Sequence, residues 1–231
     1  MKILAFDTSS RTQAVALLDK QELLADVTVN VKKNHSISLM PSVDFLLRTA
    51  DLEPQHLDRI AVAQGPGSYT GLRVAAATAK TLAYTLKIGL VGVSSLYALA
   101  AGLDFQGLVI PLMDARRNHV YVGYYKKGRP VRPDCYAALT DVFEAAAQEE
   151  NVLFVGEAER FQEQIAEALP QARILPTRPS AYEIGKLGST LDPVDTGTFV
   201  PTYLKRVEAE EKWLKDHQKE AQLQESYIKR I

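Results

Sequence analysis

Gln64-Gly65-Pro66-Gly67-Ser68-Tyr69-Thr70-Gly71-Leu72-Arg73 joins the apolar run Ile60-Ala61-Val62-Ala63 to a strong helix former, Leu72 to Lys80. The apolar run reads as a buried strand. Gly65, Gly67 and Gly71 allow positive φ and leave amide N–H groups uncovered. With a helix dipole behind them, such amides suit an anion or a partner carbonyl. Spacing excludes three familiar loops. A P-loop requires lysine after its last glycine, where Leu72 and Arg73 stand; a dinucleotide fingerprint requires a shorter gap than that between Gly67 and Gly71. A nucleophile elbow requires glycine at the position of Pro66. The loop is either an anion cradle or a tight strand-to-helix turn whose glycines serve close packing.

The chain has 231 residues and is 46% hydrophobic, enough to bury a full core in one large domain or two small lobes. Its 27 Lys+Arg against 28 Asp+Glu leave a formal charge of −1, so nothing in the overall charge draws the chain alone to nucleic acid or anionic lipid. The doublets Lys32-Lys33, Arg116-Arg117 and Lys126-Lys127 are too small for a strong phosphate footprint. A single cysteine, Cys135, excludes an intrachain disulfide and fits a reducing compartment. Met1 to Asp7 is too short an apolar run for a secretory leader, and no stretch reaches the roughly 20 apolar residues of a membrane span. A cytoplasmic location without membrane contact is expected.

Outward from the loop, Lys2 to Phe6 reads as a buried strand ended by Asp7-Thr8-Ser9-Ser10, followed by strands over Gln13 to Leu18 and Glu22 to Val31. Ser36 to Ala50 is a helix whose apolar residues (Ile37, Leu39, Met40, Val43, Phe45, Leu46, Leu47) cover more than one face. The strand at 59–64, the glycine loop and a helix over Leu72 to Leu86 come next. The strand Leu90 to Val93 and a short helix capped by Ser94 or Ser95 follow. The order then restarts: Gly107 to Met113 is again an apolar strand, ending in Asp114. Strands over 118–125 and 129–136, a helix near 140–149, a strand at 152–155 and a helix at 157–168 follow. Such a repeated order of elements suggests an internal duplication, the alternative being one α/β domain with an extra hairpin. Residues 207–231 read as a charged C-terminal helix with one thin apolar seam, Val207, Leu214, Ala221 and Ile228.

Asp7-Thr8-Ser9-Ser10, the Gly65 to Arg73 loop and Met113-Asp114-Ala115-Arg116 together resemble the TsaB (YeaZ) family over the whole chain. The resemblance implies an α/β fold of two duplicated actin-like (ASKHA, RNase H-like) lobes, each a mixed sheet flanked by helices, here 1–103 and 104–206, with the C-terminal helix beyond. It implies a degenerate relative of the transferase TsaD, acting as its non-catalytic partner. The pathway adds threonylcarbamoyl to the adenosine beside the anticodon of tRNAs that read codons beginning with A. Partners implied are TsaD, as a heterodimer, and the ATPase TsaE, with a homodimer when TsaD is missing and tRNA met only through the complex. TsaD carries an H-x-x-x-H metal pair; here Ser95 and Leu99 occupy the two positions, and neither suits a transition metal. The resemblance further implies that this chain requires no cofactor of its own, that ATP or ADP with Mg²⁺ could be bound at the complex, and that the metal is held by the partner.

The resemblance implies a vestigial nucleotide or anion site at Asp7, Thr8, Ser9, Gly65, Gly67 and Asp114. Two carboxylates facing across a cleft could hold Mg²⁺ through water, or each could simply cap a turn. The second reading of function follows from the first: an ATP-dependent phosphotransferase or acyltransferase using Asp7, Asp114 and the loop. A third reading, a peptidase, is the least favoured, since the sequence offers neither a triad nor a metal pair. The expected partner face lies on the two first-lobe helices. It takes His35, Leu39, Met40, Val43 and Leu47 from one, and Arg73, Ala75, Ala76, Ala79, Lys80 and Ala83 from the other. Ala75, Ala79 and Ala83 there form a small-residue ridge that another helix could approach closely.

Overall fold

A computed structural model describes residues 1–31 and 34–205; the Lys32-Lys33 doublet and the expected helix 207–231 lie outside the described residues. The first sheet contains β1 (Lys2–Asp7), β2 (Gln13–Asp19), β3 (Glu22–Val29), β4 (Arg59–Gly65) and β5 (Gly89–Ser94) in the order β3-β2-β1-β4-β5. β1, β2 and β3 form an antiparallel meander, while β4 and β5 run parallel to β1. The second sheet contains β6 (Leu108–Asp114), β7 (His119–Lys126), β8 (Arg129–Ala138), β9 (Val152–Gly156) and β10 (Arg173–Pro176), ordered β10-β9-β6-β7-β8. Read from the opposite edge, order and strand directions match those of the first sheet.

Helices cover both faces of each sheet. Alternation along β1 sends Leu4 and Phe6 to one face and Ile3 and Ala5 to the other, all fully buried. On the first face lie α1 (His35–Thr49) and α2 (Tyr69–Leu86), which bury Leu39, Val43, Leu46, Ala75, Ala79 and Ala83 against Leu4, Phe6, Ile60 and Val62. Asn34 caps α1 and Ser68 caps α2, each accepting from an amide of the first turn, a contribution of about 1 kcal/mol apiece. α2 begins three residues earlier than the sequence predicts, because the Ser68 cap brings Tyr69, Thr70 and Gly71 into the helix.

The other face of each sheet is covered by an exchange. α3 (Ser95–Ala100) leaves the first sheet and packs Leu96, Leu99 and Ala100 on Val109, Met113, Leu153 and Val155 of the second. α6 (Ala181–Gly188) leaves the second sheet and packs Ala181 and Ile184 on Ile3, Ala5, Ala16 and Ala61 of the first. β10 and α6 went unassigned in the sequence, and the expected 104–206 lobe is not one packing unit past Ala181. Residues beyond α6 stay on the first sheet: Val194 bridges to Leu90, and Phe199 enters the first core. The outer face of the second sheet carries α4 (Leu139–Ala146) and α5 (Gln162–Ala168). A 3-10 turn, Ala158–Phe161, precedes α5 where one continuous helix was expected over 157–168. No helix among the described residues is long and apolar enough to cross a membrane.

Candidate functional site

The β1–β2 turn and the β4–α2 loop meet at the C-terminal ends of β1 and β4, where parallel sheets place ligand sites. They are locked together. Ser68 N donates to Ser9 O at 2.6 Å, and Thr8 Oγ1 donates to Gly71 O at 2.8 Å. The glycines permit this contact. A Cβ on Gly71 would stand 1.9 Å from Thr8 O, one on Gly67 2.4 Å from Ser9 O, and one on Gly65 2.4 Å from Thr202 O. Gly65 also has φ of +126°, a conformation that side chains rarely adopt. The expectation of uncovered amides is therefore corrected at Ser68, whose N–H meets a carbonyl of the chain itself. Of the two readings, close packing describes the loop.

Asp7, Thr8 and Ser9 are buried beneath it. Asp7 Oδ1 accepts from Ser9 N at 2.5 Å, while Asp7 Oδ2 and Ser9 Oγ have no partner among the described residues. Desolvation pushes the Asp7 carboxyl up to about 6, against the opposing pull of the Ser9 hydrogen bonds and of His35. Asp114 occupies the matching end of β6 but is engaged elsewhere: Arg160 donates to its Oδ2 at 2.8 Å, and its Oδ1 accepts from Arg116 N. Its backbone N–H donates to Glu157. Among the described residues no group of three His, Cys, Asp or Glu side chains could hold a metal ion. Thr8 and Ser9 thus follow Asp7 in the buried turn and Gly67 packs on Ser9, whereas Gly65 packs on Thr202 and Asp114 is tied to the second lobe's own arginine.

The open space lies beside this cluster. A cleft of about 630 Å³ is walled by Ser10, Arg11, Thr12 and Asn30 on one side and Glu157, Glu159, Arg160 and Arg178 on the other. Leu99, Met113, Pro176 and Pro179 also line it. Leu99 fills one of the two positions at which the resemblance would put a metal ligand, and Ser95, at the other, keeps a buried hydroxyl without a partner. Sequence reasoning missed the cleft arginines; Arg11 follows the Asp7 turn directly, and that adjacency was the available signal.

The expected partner residues separate into two groups. Leu39, Val43, Leu47, Ala75, Ala76, Ala79 and Ala83 are buried in the first core. The alanine ridge admits β4 rather than a helix of another chain. Lys80 donates to Gly197 O and Phe199 O, holding the segment after α6 onto α2. His35 Nε2 lies 2.8 Å from Ser10 O, fastening the start of α1 to the β1–β2 turn. Met40 and Arg73 remain exposed, Arg73 stacking over Tyr69. Beside Met40, α1 leaves Ile37 74% and Phe45 59% exposed. With Val27, Val29 and Pro41 these two line an apolar groove between α1 and the edge strand β3.

Comparison with known proteins bears on the whole arrangement. Residues 22–213 match the family model described as TsaD, tRNA N6-adenosine threonylcarbamoyltransferase. The chain is 42% identical over 225 residues to the tRNA threonylcarbamoyladenosine biosynthesis protein TsaB of Bacillus subtilis, covering 93% of this chain and 98% of that protein. Among solved structures, a Pseudomonas aeruginosa protein described as similar to the peptidase YeaZ superposes with a TM-score of 0.75. The two are 27% identical over 88% of this chain and 99% of the other. The activator of 2-hydroxyisocaproyl-CoA dehydratase from Clostridium difficile, solved with bound ADPNP, is 10% identical at a TM-score of 0.50, with 82% of this chain and 94% of that one covered. That likeness speaks for the actin-like fold alone.

A magnesium nucleotide, which this fold implies, needs an accessible carboxylate and open loop amides. Here the Asp7 carboxylate is sealed, Asp114 is paired, and the loop is closed on Ser9 and Thr8. The residues present do not fit that group.

Proposed function

The chain belongs to the TsaB/YeaZ family, related to TsaD, and from that premise we propose that it serves as the non-catalytic partner of a TsaD-like subunit in tRNA threonylcarbamoylation. The observation that carries this reading is the closed loop: Ser68 N–H is spent on Ser9 O, and Thr8 Oγ1 on Gly71 O. The Ser9 carbonyl takes the Ser68 amide that would otherwise face a transferring group, and Thr8 ties the far end of the loop to the same turn. The named relative, which shares nearly its whole length with this chain, is a threonylcarbamoyladenosine biosynthesis protein.

On this reading the chain works in the cytoplasm and contributes surface. Exposed Ile37, Met40 and Phe45 on α1 are the contact face for the TsaD-like subunit, with Arg73 beside Tyr69 at the start of α2. In the partner's absence the same face joins two copies of the chain, since an unpaired apolar patch favours association. TsaE and tRNA join through the assembled complex. The matching sheet orders support two duplicated lobes, the first over 1–103 and the second over 104–206, exchanging α3 and α6.

The test is a reconstituted assay of threonylcarbamoyladenosine on tRNA with TsaD, TsaE and the enzyme that supplies the activated carbamoyl group. Modification is expected to require this chain and to survive Asp7→Asn combined with Asp114→Asn. A double variant that still binds TsaD yet supports no modification would return the nucleotide-dependent transferase reading.

A further inference from the structure

The cleft between the lobes has lost the means to hold a magnesium nucleotide but has kept cations. Arg11, in the β1–β2 turn, and Arg178, between β10 and α6, both line it. Neither makes an ion pair or side-chain hydrogen bond among the described residues, in contrast to Arg160, which is committed to Asp114 with Glu157 nearby. Guanidinium pairs match phosphate oxygens in geometry and need no metal to do so. Ser10, Thr12 and Asn30 put neutral polar groups on the same wall; Thr12 Oγ1 donates to Asn30 Oδ1 at 3.0 Å, and the Asn30 amide N–H₂ has no partner among the described residues. Glu159 is the lining carboxylate that lacks an ion pair among the described residues, an acceptor suited to a hydroxyl or amino group. Leu99, Met113, Pro176 and Pro179 supply an apolar surface at the place where the chemistry of a metal ligand is missing.

We propose that this interlobe cleft binds a small diphosphate without a divalent metal, through Arg11 and Arg178. Because the two arginines come from the two lobes, such a ligand bridges them. The glycine loop and Asp7 take no part. The inference does not depend on the partner role, which the reconstituted assay tests separately.

Calorimetric titration of the full chain with inorganic diphosphate and with ADP, each in EDTA and in excess Mg²⁺, tests it. Binding in EDTA is expected, weakened at least about tenfold by Arg11→Ala and by Arg178→Ala, and not strengthened by Mg²⁺. Both side chains are exposed, so unchanged unfolding temperatures should accompany the loss, and Arg→Lys at either position should restore part of it. Diphosphate matching ADP identifies free diphosphate as the ligand; ADP binding at least about tenfold tighter identifies a nucleotide whose base rests on the apolar surface, and either result supports the site. Binding that requires Mg²⁺, that ignores both arginine substitutions, or that is absent to about 10 mM for both probes overturns it.

Discussion

Asp7 holds its carboxyl group in a fully buried turn, so its titration should appear in the stability of the whole chain. Its ordinary value of 3.8 is raised to about 6, with burial as the leading cause. Below the lower value both folded and unfolded chains are protonated and no penalty applies. Between the two the folded chain keeps a proton that the unfolded chain releases, so stability falls as pH rises. Above about 6 the full penalty of ionising a buried acid is in place, about 3 kcal/mol from the size of the shift. Asp7→Asn keeps an acceptor for Ser9 N and offers a donor to unpartnered Ser9 Oγ. It should raise stability at pH 7.5 by about 2 kcal/mol, with the gain vanishing near pH 4; urea melts at both pH values measure this. An equal loss at both would mean that the carboxylate has a cationic partner. Gly71→Ala places a methyl group 1.9 Å from Thr8 O and should cost more than about 3 kcal/mol in the same melts. Sequence spacing marked Gly71 as special, but whether an anion or Thr8 fills the space beside it depended on a neighbour sixty-odd positions away, roughly the range at which local pattern carries no information.

At the scale of the element, α1 and α2 look alike in sequence and differ in what they expose. α2 turns Ala75, Ala79 and Ala83 inward, small residues that let the helix sit close on β4. α1 is anchored by Leu39, Val43, Leu46 and Leu47, and by Gln13, whose side chain pairs with Ser38 and Ser42. Its surplus Ile37, Met40 and Phe45 are left exposed, Ile37 and Phe45 along the groove beside β3. Ala79→Asp should therefore unfold the chain, at a cost above about 3 kcal/mol, and is no probe of association. Phe45→Asp should leave the unfolding temperature within a degree or two, since surface changes act within about 0.5 kcal/mol, while reducing co-purification with TsaD at least about tenfold. Retained association with Phe45→Asp and Ile37→Asp together would move the contact off α1. The surplus of apolar residues on α1 was legible from periodicity. The inward direction of the alanine ridge was not, because a stripe of small residues suits a helix or a sheet equally well.

At the scale of the molecule, the first sheet is completed from the far end of the chain. α6 covers Ile3, Ala5, Ala16 and Ala61, Arg59 donates to Gly188 O and Leu191 O, and Thr202 N donates to Gln64 O beside the glycine loop. A chain ended after Ser180 would expose that whole apolar face, a loss of several kcal/mol at about 25 cal/mol per Å². It should be recovered only as aggregate, whereas residues 1–205 should stay monomeric or dimeric and melt cooperatively; gel filtration and calorimetry distinguish the two. A soluble, cooperative 1–180 fragment would show that the first lobe is complete without α6.

By itself the sequence determined nine of the ten strands among the described residues and most helices, the repeated order of elements and the turn at Asp7, because period, caps and glycine positions act within a few residues of one another. It also determined the family, through the motifs at Asp7, Gly65 to Arg73 and Asp114. The tertiary structure alone decided that the loop closes on Ser9 and that Arg160 takes Asp114. It alone decided that the alanine ridge faces inward and that α3 and α6 change sheets. Each of these depends on which distant group wins a buried contact, and that competition is resolved by packing and desolvation among elements rather than along the chain.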